Sequence, residues 1–414
     1  MERTHIIKNW FRIALLNLVL ATLLGALLRY AFVEEVAWIK FRNVLHGHSH
    51  AAMLGWLYLA LFALLAAYFL PERADFKWYN RLFWLTELSV LGMLVAFPIQ
   101  GYGAASIAFS TLHILLSYVW AWRFWTDTRG ETSVWSLRFA RAAIVFMIVS
   151  TLAIWSIGPI LMGGFRSSTF FHLAVQFFLH FQFNGWFIFV ALALALRWME
   201  QRGIVLPAKR LRLFFILLVV SCMLTYALAV AWSNPLPIVF GINGTGVTLQ
   251  LAALLVFLGL VWSHRSAILA PLSGWSRSLM LIAFWSFAGK ILIQTAVVIP
   301  FIAKAAYTIR NYVIGFIHLI LLGAMSSLIL SLALHHGLLT RNNRLTRIGL
   351  TLFVIGLLGS EALLFLQGTL LWVSVGFLPH YYEGIFAVSV LIPVGAAIVG
   401  LGEMQATTKN SPPM

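Results

Sequence analysis

The residues of this chain whose type and spacing could do chemistry are its histidines, of which there are 12. Nine of them lie in long apolar stretches: His335 and His336 at the end of one, and the other seven at His46, His48, His50, His113, His172, His180 and His318. Ionisable side chains in such stretches are costly to bury, and their usual role is functional. Imidazole is a common metal ligand. The histidines therefore indicate a buried site for a metal or a metal-containing group.

The composition of the chain limits the class of protein and the kinds of metal site that are possible. Of the 414 residues, 62% are hydrophobic and 10% are charged, and the mean hydropathy is +0.93. These values are typical of a chain dissolved in a lipid bilayer, and they exclude a cytosolic enzyme and a secreted domain. The single cysteine, Cys222, excludes an intrachain disulfide, a Cys-x-x-Cys-His haem attachment and an iron–sulfur cluster. Any metal must therefore use histidine.

The elements that position these residues are apolar segments of membrane-spanning length. Twelve can be counted, over 12–32, 44–70, 82–102, 104–122, 139–162, 169–196, 213–232, 238–262, 279–302, 312–337, 347–372 and 381–402. Lipid cannot satisfy backbone amides, so each is predicted to be a helix. The predicted fold is all-α, with one twelve-helix domain over residues 1–404 and a disordered tail over 405–414. No short-period repeat is evident, and a halving into six plus six helices stays open.

Charge predicts the orientation. Placing the N-terminus inside puts 21 of the 28 Lys and Arg residues on the inner side and five on the outer side. This positive-inside bias predicts a bacterial inner-membrane protein with both termini in the cytoplasm. The net charge of +16 is thus a topology signal, and a nucleic-acid partner is not implied.

Depth connects histidines from different segments. With a rise of about 1.5 Å per residue, His50, His113, His180 and His318 fall about 9 to 17 Å below the outer boundary. A single buried histidine more often bonds a main-chain carbonyl, whereas a set at one depth favours a shared site.

The second and sixth segments are the richest. His46 and His50 are four residues apart and share a helix face, while His48 is expected nearer the water boundary. Gly47 and Gly55 leave one side of the second segment without bulk, where a flat macrocycle could lie or another helix could pack. In the sixth segment, His172, Gln176 and His180 lie near one stripe.

Further polar groups interrupt the apolar segments. Lys290 could pair with Glu361 or Glu87, and the same three residues could instead form a proton path toward a redox centre. Arg29 is expected to reach the lipid headgroups. The glycine-rich stretch 240–246 is expected to break or loosen the outer end of the eighth segment.

The pattern resembles the catalytic subunit of haem-copper oxidases and nitric oxide reductases, and the related NnrS family of haem- and copper-containing membrane proteins. His48, His50 and Gly55 are similar to an NnrS motif, His-x-His-x4-Gly, and His318 with Gly323 and Ala324 is similar to a later His-x4-Gly-Ala. The oxidases carry a histidine pair in their seventh helix, where this chain has none. The resemblance therefore implies a bis-histidine haem or a copper site in an oxidase-like bundle.

The resemblance implies a redox protein with a b-type haem, and copper as a second group. His50 and His318 would be the opposite axial ligands of the haem, with His113 beside the cofactor. The expected metal site draws on His46, His48, His172 and His180. Nitric oxide or oxygen would be the substrate and a quinol or another donor would supply electrons, with oxidoreductase activity left open.

Two other functions stay open. The first is a proton-coupled secondary transporter of a metal or a small anionic solute, which predicts inverted internal symmetry and helices broken near the binding site. The second is a non-catalytic assembly subunit, which would keep its function without His50 and His318.

Overall fold

The computed structural model describes residues 2–130, 134–164, 169–233, 236–272, 274–341 and 343–409. The chain is 85% helical, and the described residues contain no strand. This confirms the predicted all-α fold. The hydrocarbon core of a bilayer forces this outcome, because a helix bonds its amides internally.

Twelve helices are long and apolar enough to cross a membrane, and each overlaps its predicted segment. They are α1 (Arg3–Tyr30), α2 (Phe41–Phe69), α3 (Phe76–Gln100), α4 (Ala104–Asp127), α5 (Trp135–Ile160), α6 (Thr169–Glu200), α7 (Ala208–Ala231), α8 (Pro237–Ser263), α9 (Gly274–Ala296), α10 (Arg310–His336), α11 (Arg344–Trp372) and α12 (Tyr381–Gln405). The protein is therefore a multi-pass membrane protein.

Two boundaries differ from expectation. The prediction that glycines break α8 is wrong, because one helix runs from Pro237 to Ser263 through the glycine-rich stretch. A continuous helix keeps the amides of that stretch bonded where lipid offers no alternative. At the other end of the chain, the helical backbone continues to Lys409, through the first half of the expected tail. Residues 410–414 lie outside the described part of the chain.

The chain divides into two compact units, and the single domain expected over residues 1–404 stays a prediction. The first unit comprises Met1–Phe124, Gly274–Phe284 and Ala305–Met414. Within it α2 packs against α1, α3 and α10, while α12 packs against α1 and α11. Gly349 and Gly395 let the backbones of α11 and α12 meet, since a Cβ on Gly349 would stand 2.5 Å from the Gly395 oxygen.

The second unit comprises Trp125–Ser273 and Trp285–Lys304. It contains α5 to α8 and the last part of α9. Within it α6 packs against α5 and α7, and α7 packs against α8.

Burial singles out three helices. In the apolar stretch of α2, 83% of the residues are buried, and the values for α6 and α10 are 72% and 61%. No other membrane-length helix exceeds 50%. The helices that carry His50, His180 and His318 are thus the most enclosed helices of the described chain.

Candidate functional site

The three most buried helices share a local distortion. Each changes from α-helix to π-helix directly after a histidine: Ala51–Leu57 follows His50, Phe181–Phe187 follows His180 and Leu319–Ser326 follows His318. Single π-helical turns in α-helices occur frequently at functional sites. The three π-helical segments therefore mark positions where a histidine directly precedes an unusual helix geometry.

A sequence signal for this distortion exists and was missed. A glycine stands five residues after each of the three histidines, at Gly55, Gly185 and Gly323, and no other histidine of the chain has this spacing. The resemblance drew on the first and the third, but the copy at His180 went unnoticed. The pattern recurs every four membrane-length helices, in α2, α6 and α10.

The hydrogen bonds of α2 fix the tautomers of two histidines. The Nδ1 atom of His50 lies 2.9 Å from the carbonyl oxygen of His46, and Nδ1 of His48 lies 2.8 Å from the carbonyl oxygen of Ala21 on α1. A carbonyl oxygen only accepts, so both Nδ1 atoms must donate. In a neutral ring, the lone pair is then on Nε2, which is the arrangement that metal-binding histidines use.

His113 on α4 has the same arrangement. Its ring is 2% exposed and bonds to the carbonyl of Leu54, while its Nε2 atom is buried without a hydrogen-bond partner. It lies within electrostatic range of His50. An unpartnered buried nitrogen is costly, which makes Nε2 of His113 a candidate ligand atom.

Aromatic rings line one side of the α2 histidines. The ring of His50 stacks on Phe97 with centroids 4.1 Å apart, and His46 meets Tyr102 edge-on at 4.6 Å. Tyr58 contacts His113 edge-on at 4.7 Å. These contacts turn His50 toward α3 and place His113 of α4 against α2.

His318 has a different neighbourhood. Its Nδ1 atom lies 3.7 Å from Oε1 of Glu361 on α11, and it lies within electrostatic range of Arg29 and His48. His48 thus lies within electrostatic range of His318, and His50 within that of His113. His48 packs against Gly25 of α1, where a Cβ would stand 2.9 Å from the imidazole.

A buried hydrogen bond connects the π-helical segments of α2 and α10. The indole Nε1 of Trp56 donates to Oγ of Ser326 at 2.8 Å, and Ser326 donates in turn to the carbonyl oxygen of Leu321. Both side chains are buried. This bond fixes the two distorted segments relative to each other, and with them the helices that carry His50 and His318.

The glycines of α2 make room for helices. A Cβ on Gly55 would lie 2.9 Å from Val90 and 3.2 Å from Asn17, and one on Gly47 would lie 3.0 Å from Pro98. Of the two uses expected for this small-residue side, close packing by another helix is the one that the contacts support.

His180, in the second unit, has both ring nitrogens occupied. Nε2 donates to the carbonyl oxygen of Cys222 at 2.8 Å, and Nδ1 accepts from Nδ2 of Asn184 at 3.3 Å. Gln294 donates to Asn184 at 3.4 Å. No lone pair of His180 is free while these bonds persist, so the ring does not have the arrangement of a ligand.

The remaining expected metal ligands do not form a cluster. His172 is exposed on the surface of α6, and His46 faces Tyr102. Among the residues that the structure describes, no three His, Cys, Asp or Glu side chains lie together as a metal site.

The three expected proton-path residues have separate neighbours. Glu87 accepts a hydrogen bond from Asn17 at 2.8 Å, and Glu361 faces His318. Lys290 is 1% exposed, and its ionisable neighbours within the described chain are His180 and Cys222. Each therefore belongs to a local polar cluster of its own unit.

Arg29 is a site residue that the sequence reasoning missed. It lies within electrostatic range of Glu361, Tyr381 and His318, so its surroundings are polar groups of the first unit as well as any headgroups. The available signal was its position: an arginine inside a hydrocarbon-length helix is functional by default.

The chain's resemblance to known proteins consists of short motifs. No family model and no curated protein matches this sequence, so the likeness to haem-copper oxidases and NnrS proteins stays a prediction.

Proposed function

We propose that the first unit binds a b-type haem between α2 and α10 and that the protein is a membrane redox protein. The observation that carries this proposal is the tautomer of His48 and His50, each of which donates its Nδ1 proton to a main-chain carbonyl. Together with the buried, unpartnered Nε2 of His113, these imidazoles form a donor set that fits haem iron.

His318 and one histidine of α2 would be the axial ligands. The sequence pairs His318 with His50, but His48 is the stronger candidate, because it lies within electrostatic range of His318. His50 has His113 as its neighbour instead. Copper also takes imidazole ligands, and the His50 and His113 pair would hold it as a second cofactor.

Haem supplies one-electron chemistry at iron when it is bound, and nitric oxide or oxygen is the proposed substrate. The chain's own contribution is to hold imidazoles in the ligand tautomer and to surround them with aromatic rings. A quinol dissolved in the bilayer is a suitable electron donor. The positive-inside bias supports a bacterial inner membrane with both termini in the cytoplasm.

The experiment is an optical spectrum with metal analysis on the protein purified in detergent. We expect a Soret band and one iron per chain in the wild type, and loss of the band in His318→Ala and His48→Ala. His172→Ala is the matched control, because His172 is exposed. A wild type without haem contradicts the proposal. Loss of haem in His50→Ala with retention in His48→Ala would instead assign the α2 ligand to His50.

The transporter alternative has less support. Four crossings separate each histidine of the threefold pattern from the next, and an even number of crossings returns the chain to the same direction. Inverted repeats need opposite directions. The continuity of α8 also removes one expected broken helix. Uptake of a solute into proteoliposomes by metal-free protein would reverse this preference.

A further inference from the structure

Glu361 on α11 and His318 on α10 form an incomplete polar pair inside the first unit. Nδ1 of His318 lies 3.7 Å from Oε1 of Glu361, and Glu361 is 8% exposed. Nδ1 and both carboxyl oxygens are buried without a hydrogen-bond partner among the described residues. Three buried polar atoms thus face one another, and a single hydrogen bond would satisfy two of them.

The distance is slightly too long for a hydrogen bond, which requires about 2.7–3.2 Å between nitrogen and oxygen. Leaving buried donors and acceptors unpaired is costly. Bonds at reactive sites are often long in the free protein and shorten when the site is filled. A rotation of either side chain that moves its polar atom by a fraction of an ångström would complete this bond.

A positive charge lies near Glu361. Arg29 of α1 lies within electrostatic range of both Glu361 and Tyr381. Tyr381 is held in turn by Asn311, whose Nδ2 donates to the tyrosine oxygen at 2.7 Å. An opposite charge of this kind favours the ionised form of a carboxyl group, against the opposing effect of its burial.

The partner of His318 therefore differs in kind from those of the α2 histidines. His48 and His50 bond neutral main-chain carbonyls, whereas His318 faces the carboxyl group of Glu361. A carboxylate that accepts the Nδ1 proton fixes the lone pair on Nε2 and makes the imidazole a stronger electron donor. Stronger donation stabilises ferric over ferrous iron.

We propose that Glu361 is the positioning residue of His318: its carboxylate accepts the Nδ1 proton, holds Nε2 toward the haem iron and lowers the reduction potential of the haem. This inference rests on the proposed function, because it assigns His318 as a ligand. It adds a residue that neither the sequence motifs nor the α2 geometry identify.

The test is a redox titration of the haem-loaded protein, combined with electron paramagnetic resonance of the ferric state. Glu361→Gln keeps the shape and removes the charge. We expect the ferric-to-ferrous ratio at fixed potential to fall about tenfold, which is about 59 mV for one electron. The ferric g values should move toward those of a neutral bis-imidazole haem.

Glu87→Gln is the matched control, because Glu87 is a second buried carboxyl of the same unit and bonds Asn17. We expect it to leave the potential and the g values unchanged. Glu361→Asp retains the charge on a shorter side chain and should shift both readouts in the same direction by less. If Glu361→Gln does not fold, the reduction potential of Glu361→Asp tests the role of Glu361.

The outcomes separate the two proposals. An unchanged potential in both Glu361 variants, or an equal shift in Glu87→Gln, overturns the role of Glu361 and leaves the haem assignment intact. A wild type that contains no haem overturns the proposed function itself.

Discussion

The first and second units contain the same local helix motif, but its histidine makes different hydrogen bonds in each. In both, a histidine is followed at once by a π-helical turn that carries a glycine and, at Trp56 and Trp186, a tryptophan. His50 donates to a carbonyl of its own helix and keeps the Nε2 lone pair. His180 donates through Nε2 and accepts through Nδ1, so it keeps none.

The comparison teaches that the motif specifies helix geometry and the polar groups around the ring specify its chemistry. Cys222 on α7 and Asn184 on α6 occupy the nitrogens of His180. In the first unit, the carbonyl oxygen of His46 takes only the Nδ1 proton of His50. The same His-x4-Gly pattern can therefore leave a ring nitrogen free in one place and occupy both nitrogens in another.

The largest expected effect separates the two histidines directly. Haem content should fall to the detection limit in His318→Ala and stay at the wild-type level in His180→Ala, because His180 has no free lone pair. His180→Ala should lower the free energy of unfolding by about 1–3 kcal/mol, since it leaves buried groups of Asn184 and Cys222 unpaired. The two measurements are the Soret absorbance per chain and thermal unfolding in detergent. Haem loss in His180→Ala would erase the distinction between the units.

The next effect tests what the two units share. Gly185→Ala would place a Cβ 2.5 Å from the Phe146 side chain, and Gly55→Ala would place one 2.9 Å from Val90. Overpacking of this kind costs about 1–3 kcal/mol, so both variants should melt at lower temperature. Gly259→Ala in α8 is the control, because nothing lies within 4 Å of its Cβ. A tolerated Gly185→Ala would contradict the close approach of α5 and α6.

The smallest effect concerns the hydrogen bond between Trp56 and Ser326. In the first unit, this bond connects the π-helical segments of α2 and α10. Ser326→Ala leaves the buried indole N–H unpaired and should cost about 1–3 kcal/mol. The loss of hydrogen bonding in Trp56→Phe should lower the free energy of unfolding by less, because Ser326 keeps its hydrogen bond to the carbonyl oxygen of Leu321. Unfolding temperatures of the two single variants and the double variant measure the coupling. Additive effects would mean that the bond contributes nothing to stability.

Much of the fold could be predicted from the sequence. The twelve helices follow from apolar length, since a chain in lipid has no other way to satisfy its amides. The continuity of α8 was not predicted. Its glycine-rich stretch was expected to break or loosen the helix as it would in water, whereas glycine weakens a helix less where lipid surrounds the backbone.

The candidate site could be predicted only in outline. Residue type and segment selected His50, His113 and His318 as functional. The neighbours of each ring could not be predicted, because the carbonyl of Ala21 and the carboxylate of Glu361 lie on other helices.

By itself the sequence determined that this protein lies in a membrane as a helical bundle, because its hydropathy leaves no other choice, and the single cysteine made imidazole the predicted metal-binding group. Only the tertiary structure decided which imidazoles keep a lone pair. A tautomer depends on which groups lie within about 3 Å of each ring nitrogen, and packing between helices decides those groups.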